Sequence, residues 1–153
     1  MSDSHMTGEI AAAVIQALKS ERMTLKDALT IIERGEEMAR SLEVSMVFTV
    51  VDDGGNMVAM HRMDDSLLAS ISVSHSKAYT AAALRLPTEE AAKSILPGQP
   101  LYGLQQTHPG KFCIFGGGVP LTYKGRFLGG LGVSGGTVEQ DIAVARHAAG
   151  GRV

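Results

Sequence analysis

Tryptophan is missing, aromatic residues make up 5% of the 153 positions, and there is a single cysteine, Cys113. One cysteine excludes an internal disulfide and a Cys-rich zinc site. Basic and acidic residues nearly cancel, 14 against 16 for a formal charge of -2, which removes the electrostatic footprint of a nucleic-acid or anionic-membrane binder. No stretch approaches the roughly 18 consecutive apolar residues of a membrane span. The chain therefore reads as one soluble, cytosolic domain, with small molecules and protein partners as the remaining ligand classes. Glycine is plentiful, at 18 residues, and it is clustered where turns and close backbone approaches are needed.

Met1 to Thr7 is polar and aperiodic, ending near a Ser-His-Met that resembles a cloning remnant, so it is set aside as a leader and His5 is given no role. Residues 8–21 put Ile10, Ala13, Val14, Ala17 and Leu18 at helical spacing, which predicts a short amphipathic helix. The main domain is expected over 24–149. Thr24 with Asp27 forms a capping-box-like pair opening a helix that runs to Glu43. Segments 46–53 and 57–64 flank Asp53-Gly54-Gly55-Asn56 and predict a hairpin. Residues 67–86 read as a long alanine-rich helix closed by Pro87, and Thr88 caps a short one through Ile95. Three further strands are expected in FCIFG, VPLTYK and RFLGGLGVS, before a last helix capped by Thr137 and Gln140. Strands joined by tight turns are antiparallel, and strand groups separated by helices predict an α+β fold with a five-stranded sheet.

Several motifs tempt. Gly130-Leu131-Gly132-Val133-Ser134-Gly135 matches the dinucleotide fingerprint by letter, but 18 residues remain after it and no strand follows. Glycines that admit another element close to a strand are the better reading. Gly132-Val133-Ser134-Gly135-Gly136 resembles a nucleophile elbow, with Asp141 and His147 following. Those two would sit six residues apart on one helix, facing away from each other and from Ser134, so a hydrolase triad is not expected. Gly116-Gly117-Gly118 is either an anion-holding nest or a strained turn. Arg62 and Asp64 share one face of a strand end, as a surface pair or as part of a polar pocket. Lys77 is a long cation among Ser70, Ser74 and Ala81, on a solvated helix surface or in a pocket. His61, His75, His108 and Cys113 are soft or nitrogen donors without zinc spacing, but a single axial ligand to haem needs no spacing motif.

Taken together, the segments 47–65, 74–84, 96–105, 115–121 and 129–141 resemble the GlcG/HbpS-type haem-binding family, with the strongest likeness to the C-terminal domain of PduO-type corrinoid proteins. The likeness covers roughly residues 24–149. It implies a profilin-like fold, an antiparallel sheet flanked by helices, and self-assembly as dimers to octamers. Arg62-Met63-Asp64, Lys77 and Gly116 to Gly118 match family elements, whereas His75 departs from the acidic or amide residue of many relatives. The adenosyltransferase activity of PduO-type proteins belongs to a separate domain and is not transferred.

Two functions follow as expectations. The first is a tetrapyrrole-binding protein, for haem or for a corrinoid such as cobalamin, serving a cobalamin-dependent diol or glycerol utilisation pathway. Its candidate axial ligands are His75, on a helix face with Ile71, Ala78 and Ala82, and then His61. The second is an enzyme acting on a small acid or aldehyde, in a pocket where Arg62, Asp64, Lys77 and Gly116, Gly117 and Gly118 converge. Replacing Lys77 or Arg62 is expected to weaken ligand binding and spare the melting temperature. Self-association is expected through small-residue surfaces such as Ala78, Ala81, Ala82 and Ala83. The 8–21 helix resembles the peptides that deliver cargo into bacterial microcompartments, so it docks on a shell protein or packs on its own assembly.

Overall fold

The computed structural model describes the backbone of residues 2–151, with side chains described for 6–17 and 21–151. Met1 of the expected leader, the side chain of His5 and the side chain of Leu18 in the apolar stripe lie outside the described residues. Ten elements follow in order: α1 (Ser2–Ser20), α2 (Leu25–Ser41), β1 (Val47–Asp52), β2 (Met57–Arg62), α3 (Ala69–Leu84), α4 (Thr88–Ile95), a 3₁₀ turn (Leu104–Thr107), β3 (Gly118–Tyr123), β4 (Arg126–Ser134) and α5 (Val138–Ala149).

The helix starts are chemically explicit. Thr24 and Asp27 exchange side-chain and backbone hydrogen bonds at the head of α2, and Thr137 and Gln140 do the same for α5. α1 begins at Ser2, ahead of the expected Gly8, and its side chains 6–17 are all exposed.

The four strands form one antiparallel sheet in the order β2-β1-β4-β3. The expected fifth strand, FCIFG, is not one. That stretch crosses α3: the Cys113 amide donates to the Thr80 hydroxyl at 2.8 Å, a side-chain acceptor where a strand would need a neighbouring backbone. Phe112 to Phe115 is a continuous apolar run, and a short run of that kind suits packing against a helix as well as a place in a sheet.

Alternation divides the sheet into two faces. Phe48, Val50, Leu131, Val133 and Val119 point toward α2 and α5 and form the main core with Ile31, Ile32, Val144 and Ala148. The Phe48 ring fills the space a side chain at Gly35 would take, since a β-carbon there would come within 2.4 Å of it. The other face carries Thr49, Val51, Gly130 and Gly132, and α3 lies on it. A β-carbon at Gly132 would meet the Ser74 carbonyl oxygen at 1.9 Å, and one at Gly130 the Ala78 oxygen at 2.3 Å. The glycines of the GLGVSG run thus let a helix backbone rest on a strand, in agreement with the close-approach reading of that motif. This approach also buries Ala78, Ala81 and Ala82 within the chain, so of the four alanines expected to form a self-packing surface only Ala83 is exposed.

Candidate functional site

Lys77 is turned inward. It is 2% exposed, and its Nζ donates to the Val133 carbonyl oxygen at 2.8 Å and to Asp141 Oδ2 at 2.7 Å. Asp141 Oδ1 accepts from the Gly136 amide at 2.9 Å. A buried cation needs a compensating charge, and α5 supplies it at its first turn. Burial pushes the Asp141 carboxyl above the ordinary carboxylate range, while Lys77 beside it pulls in the opposite sense.

Two of the three glycines seal this pair. A β-carbon at Gly117, where φ is +113°, would lie 2.8 Å from Asp141 Cβ and 3.1 Å from Lys77 Nζ. One at Gly118 would meet the Lys77 carbonyl oxygen at 2.6 Å, and the Gly118 amide donates to the Thr88 hydroxyl at 2.9 Å. Gly116 abuts Ile142 instead. Lys77, Gly117 and Gly118 therefore do meet, around a carboxylate, in a packed junction of α3, α5 and the sheet. Asp141 entered the sequence reading only as a triad candidate. The signal that identifies it is the unneutralised Lys77 itself, which demands an acid from a segment distant in sequence.

Arg62 and Asp64 are exposed at the end of edge strand β2, with β1 and β4 between that strand and β3. Ser134, the would-be nucleophile, is buried and donates to Ser70 at 3.1 Å, while His147 is exposed, so no triad assembles.

The histidines separate onto opposite sides of the sheet. His61 faces α2, and its Nδ1 lies 2.7 Å from Glu36 Oε1, a carboxylate that also binds Arg40 at 3.1 Å. His75 projects from the outer side of α3 into a cleft of about 170 Å³ with Gly55, Ser76, Tyr79, Gly110 and Lys111. The Lys111 ammonium stands 5.4 Å from the Tyr79 ring centre. Ser76 and Gly110 also border an adjoining cleft of about 430 Å³, whose walls are Val73, Phe112, Ile114 and Phe115 with Cys113 among them. Burial pushes the Cys113 thiol up, which keeps it protonated and a weak ligand. His108 is exposed and packs its ring 4.7 Å from Phe112. Among the described residues no group of three or more His, Cys, Asp or Glu could hold a metal ion, and no helix is long and apolar enough to cross a membrane. What the α3 face offers is one accessible imidazole beside apolar walls and a cation.

The family model for the haem degrading protein HbpS-like family matches residues 23–150. An uncharacterized 15.0 kDa protein from the dhaT-dhaS intergenic region of Citrobacter freundii is 46% identical over 126 residues, 82% of this chain and 89% of its own. The corrinoid adenosyltransferase PduO of Salmonella typhimurium is 39% identical over 82% of this chain, a match that spans 38% of PduO. A solved PduOC:heme complex superposes with a TM-score of 0.80 at 38% identity, covering 84% of this chain and 93% of that one. HbpS itself superposes with a TM-score of 0.75 at 29% identity, covering 84% and 88%. With the family model spanning nearly all of the sheet and the helices on both its faces, the chain belongs to the HbpS-like family, alongside GlcG and part of PduO.

Proposed function

We propose that this protein binds a haem-type tetrapyrrole against the outer face of α3, with His75 as the axial ligand. The observation that carries the reading is the half-buried His75 in a cleft that shares Ser76 and Gly110 with an adjoining one, where Val73, Phe112, Ile114 and Phe115 suit the apolar face of a macrocycle, while Lys111 beside His75 suits a propionate. A haem bound here supplies an iron centre with ligand chemistry that the side chains lack. His75 and Ser76 of α3 would hold it on one side, with Phe112, Ile114 and Phe115 lining the neighbouring cleft. The family and the PduOC:heme structure support haem as the group. His61, with Nδ1 held by Glu36 and thus a fixed ring, is the alternative ligand. Titrating haemin into the protein should give a saturable Soret band that is lost or shifted in His75→Ala and unchanged in His61→Ala. An unaltered spectrum in His75→Ala removes His75 from the role, and a shift only in His61→Ala transfers it.

The likeness to PduO supports a finer reading, a supporting role in a cobalamin-dependent diol or glycerol pathway, with a corrinoid as an alternative ligand. Copies of the chain associate through exposed apolar residues, and α1 docks on a microcompartment shell protein, since Met6, Ile10 and Val14 recur four residues apart with no cover from the chain's own core. The small-acid or aldehyde enzyme loses its premise where it relied on Lys77 as an open cation, because both acceptors of Lys77 lie within the fold.

A further inference from the structure

A cleft of about 490 Å³ lies far in sequence from the α3 face, between the entry to α2 and the β3–β4 hairpin. Its floor is apolar and well covered: Met23 and Leu128 are each 8% exposed and Ile31 is fully buried. Its walls are charged. The two carboxylates that border it are already engaged, Glu21 with the Arg126 guanidinium and Asp27 with the backbone and hydroxyl of Thr24. Against these two carboxylates the lining sets three cations, Arg22, Lys124 and Arg126, which leaves one positive charge in excess. Arg22 and Lys124 are exposed on opposite walls and form no ion pair among the described residues, although the chain as a whole carries a net charge of -2. Lys124 is held in position by the hairpin turn, where Lys124 at φ +49° and Gly125 at φ +76° give the double left-handed conformation of a tight two-residue connection. Its ammonium also rests 5.4 Å from the Tyr123 ring centre. A concave site with a buried apolar floor, a net positive lining and two cations outside any ion pair is complementary to a molecule with an apolar body and a negative head.

We propose that this cleft is a second small-molecule site, specific for an organic anion of modest size whose flat apolar body lies on Met23 and Leu128 and whose carboxylate, sulfonate or phosphate head lies between Arg22 and Lys124. The site is independent of the tetrapyrrole reading, because it shares no residue with the α3 clefts.

Anilinonaphthalene sulfonate is the probe, with its neutral parent, phenylnaphthylamine, as the comparison. The intact protein should bind the sulfonate saturably, with amide NMR shifts centred on Met23, Tyr123, Lys124 and Leu128. The neutral compound and the Arg22→Gln/Lys124→Gln variant should each weaken binding by about tenfold or more, as loss of a charge-assisted contact requires. Both replaced side chains are exposed, so the variant should keep its melting temperature. Equal affinity for the neutral compound, unchanged affinity in the variant, or shifts centred on His75 and Lys111 overturns the proposal. The haemin titration of His75→Ala leaves both cations intact, so each reading stands or falls alone.

Discussion

Lys77 and Arg62, equal candidates by residue type, have opposite physical situations. Lys77 is one half of a buried ion pair whose partner carboxylate is 6% exposed at its side chain. Removing one member of such a pair strands the other in a medium that cannot solvate it, which costs about 3–5 kcal/mol. Lys77→Ala should therefore lower the unfolding free energy by about that amount in urea titrations. That is contrary to the expectation that its loss spares the melting temperature. Arg62→Ala, at an exposed strand end, should stay within about 0.5 kcal/mol of the parent. Similar losses in both variants would contradict the assignment. Asp141 adds a pH signature. Burial raises its carboxyl above the ordinary 3.8, so the folded protein keeps that proton to higher pH than the unfolded chain does. Its contribution to stability is thus fully present below about 3.8 and declines as pH rises through the folded-state value. The unfolding free energy of the parent relative to Asp141→Asn should fall across that window. A difference that grows with pH would show that Lys77 outweighs burial.

At the scale of elements, the contact between α3 and β4 rests on the absence of side chains. Gly132→Ala places a methyl group 1.9 Å from the Ser74 carbonyl oxygen, which is backbone and cannot rotate away. Overpacking of this kind costs about 1–3 kcal/mol or more, and here it forces the helix off the sheet. Gly8 is the contrast. It lies in α1 with nothing within 4 Å of the place a methyl group would take, so Gly8→Ala should raise the helicity of α1 by circular dichroism and leave the unfolding midpoint unchanged. The capping boxes of α2 and α5 were readable from Thr24-Asp27 and Thr137-Gln140 alone, because a cap is a bond between residues three apart. The residues of FCIFG were not readable in the same way, since the Cys113 amide finds its acceptor in Thr80 on a helix 33 positions earlier rather than in a neighbouring strand.

Across the whole molecule, several large apolar side chains stay outside the core, and two groups of them bear on assembly. Leu67, Leu68 and Phe115 are 65%, 82% and 61% exposed around the start of α3, more than isolated surface leucines explain. Self-association through this region should appear in light scattering as a particle larger than one chain, and Leu68→Lys should shift it toward the monomer. A parent that is already monomeric at micromolar concentration contradicts the surface. The second region is α1. Residues 7–23 fused to a fluorescent protein should collect in puncta in cells making a matched microcompartment, and Val14→Glu should disperse them. A diffuse signal in both leaves α1 to self-association instead.

The sequence by itself determined whatever depends on near neighbours: the positions of the caps, the hairpin at Gly54-Gly55, the strands around Gly130 and Gly132, and the five ordered motifs that carried the family resemblance. Each is set by spacing within a few residues or by the steric freedom of glycine. Only the tertiary structure decided which way the chemically active residues face. Lys77 finds Asp141 across 64 positions, and His61 and His75 end on opposite faces of one sheet. Nothing local encodes these outcomes, because they depend on which face of α3 the glycines of β4 draw inward. Once that face is chosen, Lys77 goes with it into the interior and His75 is left beside the cleft.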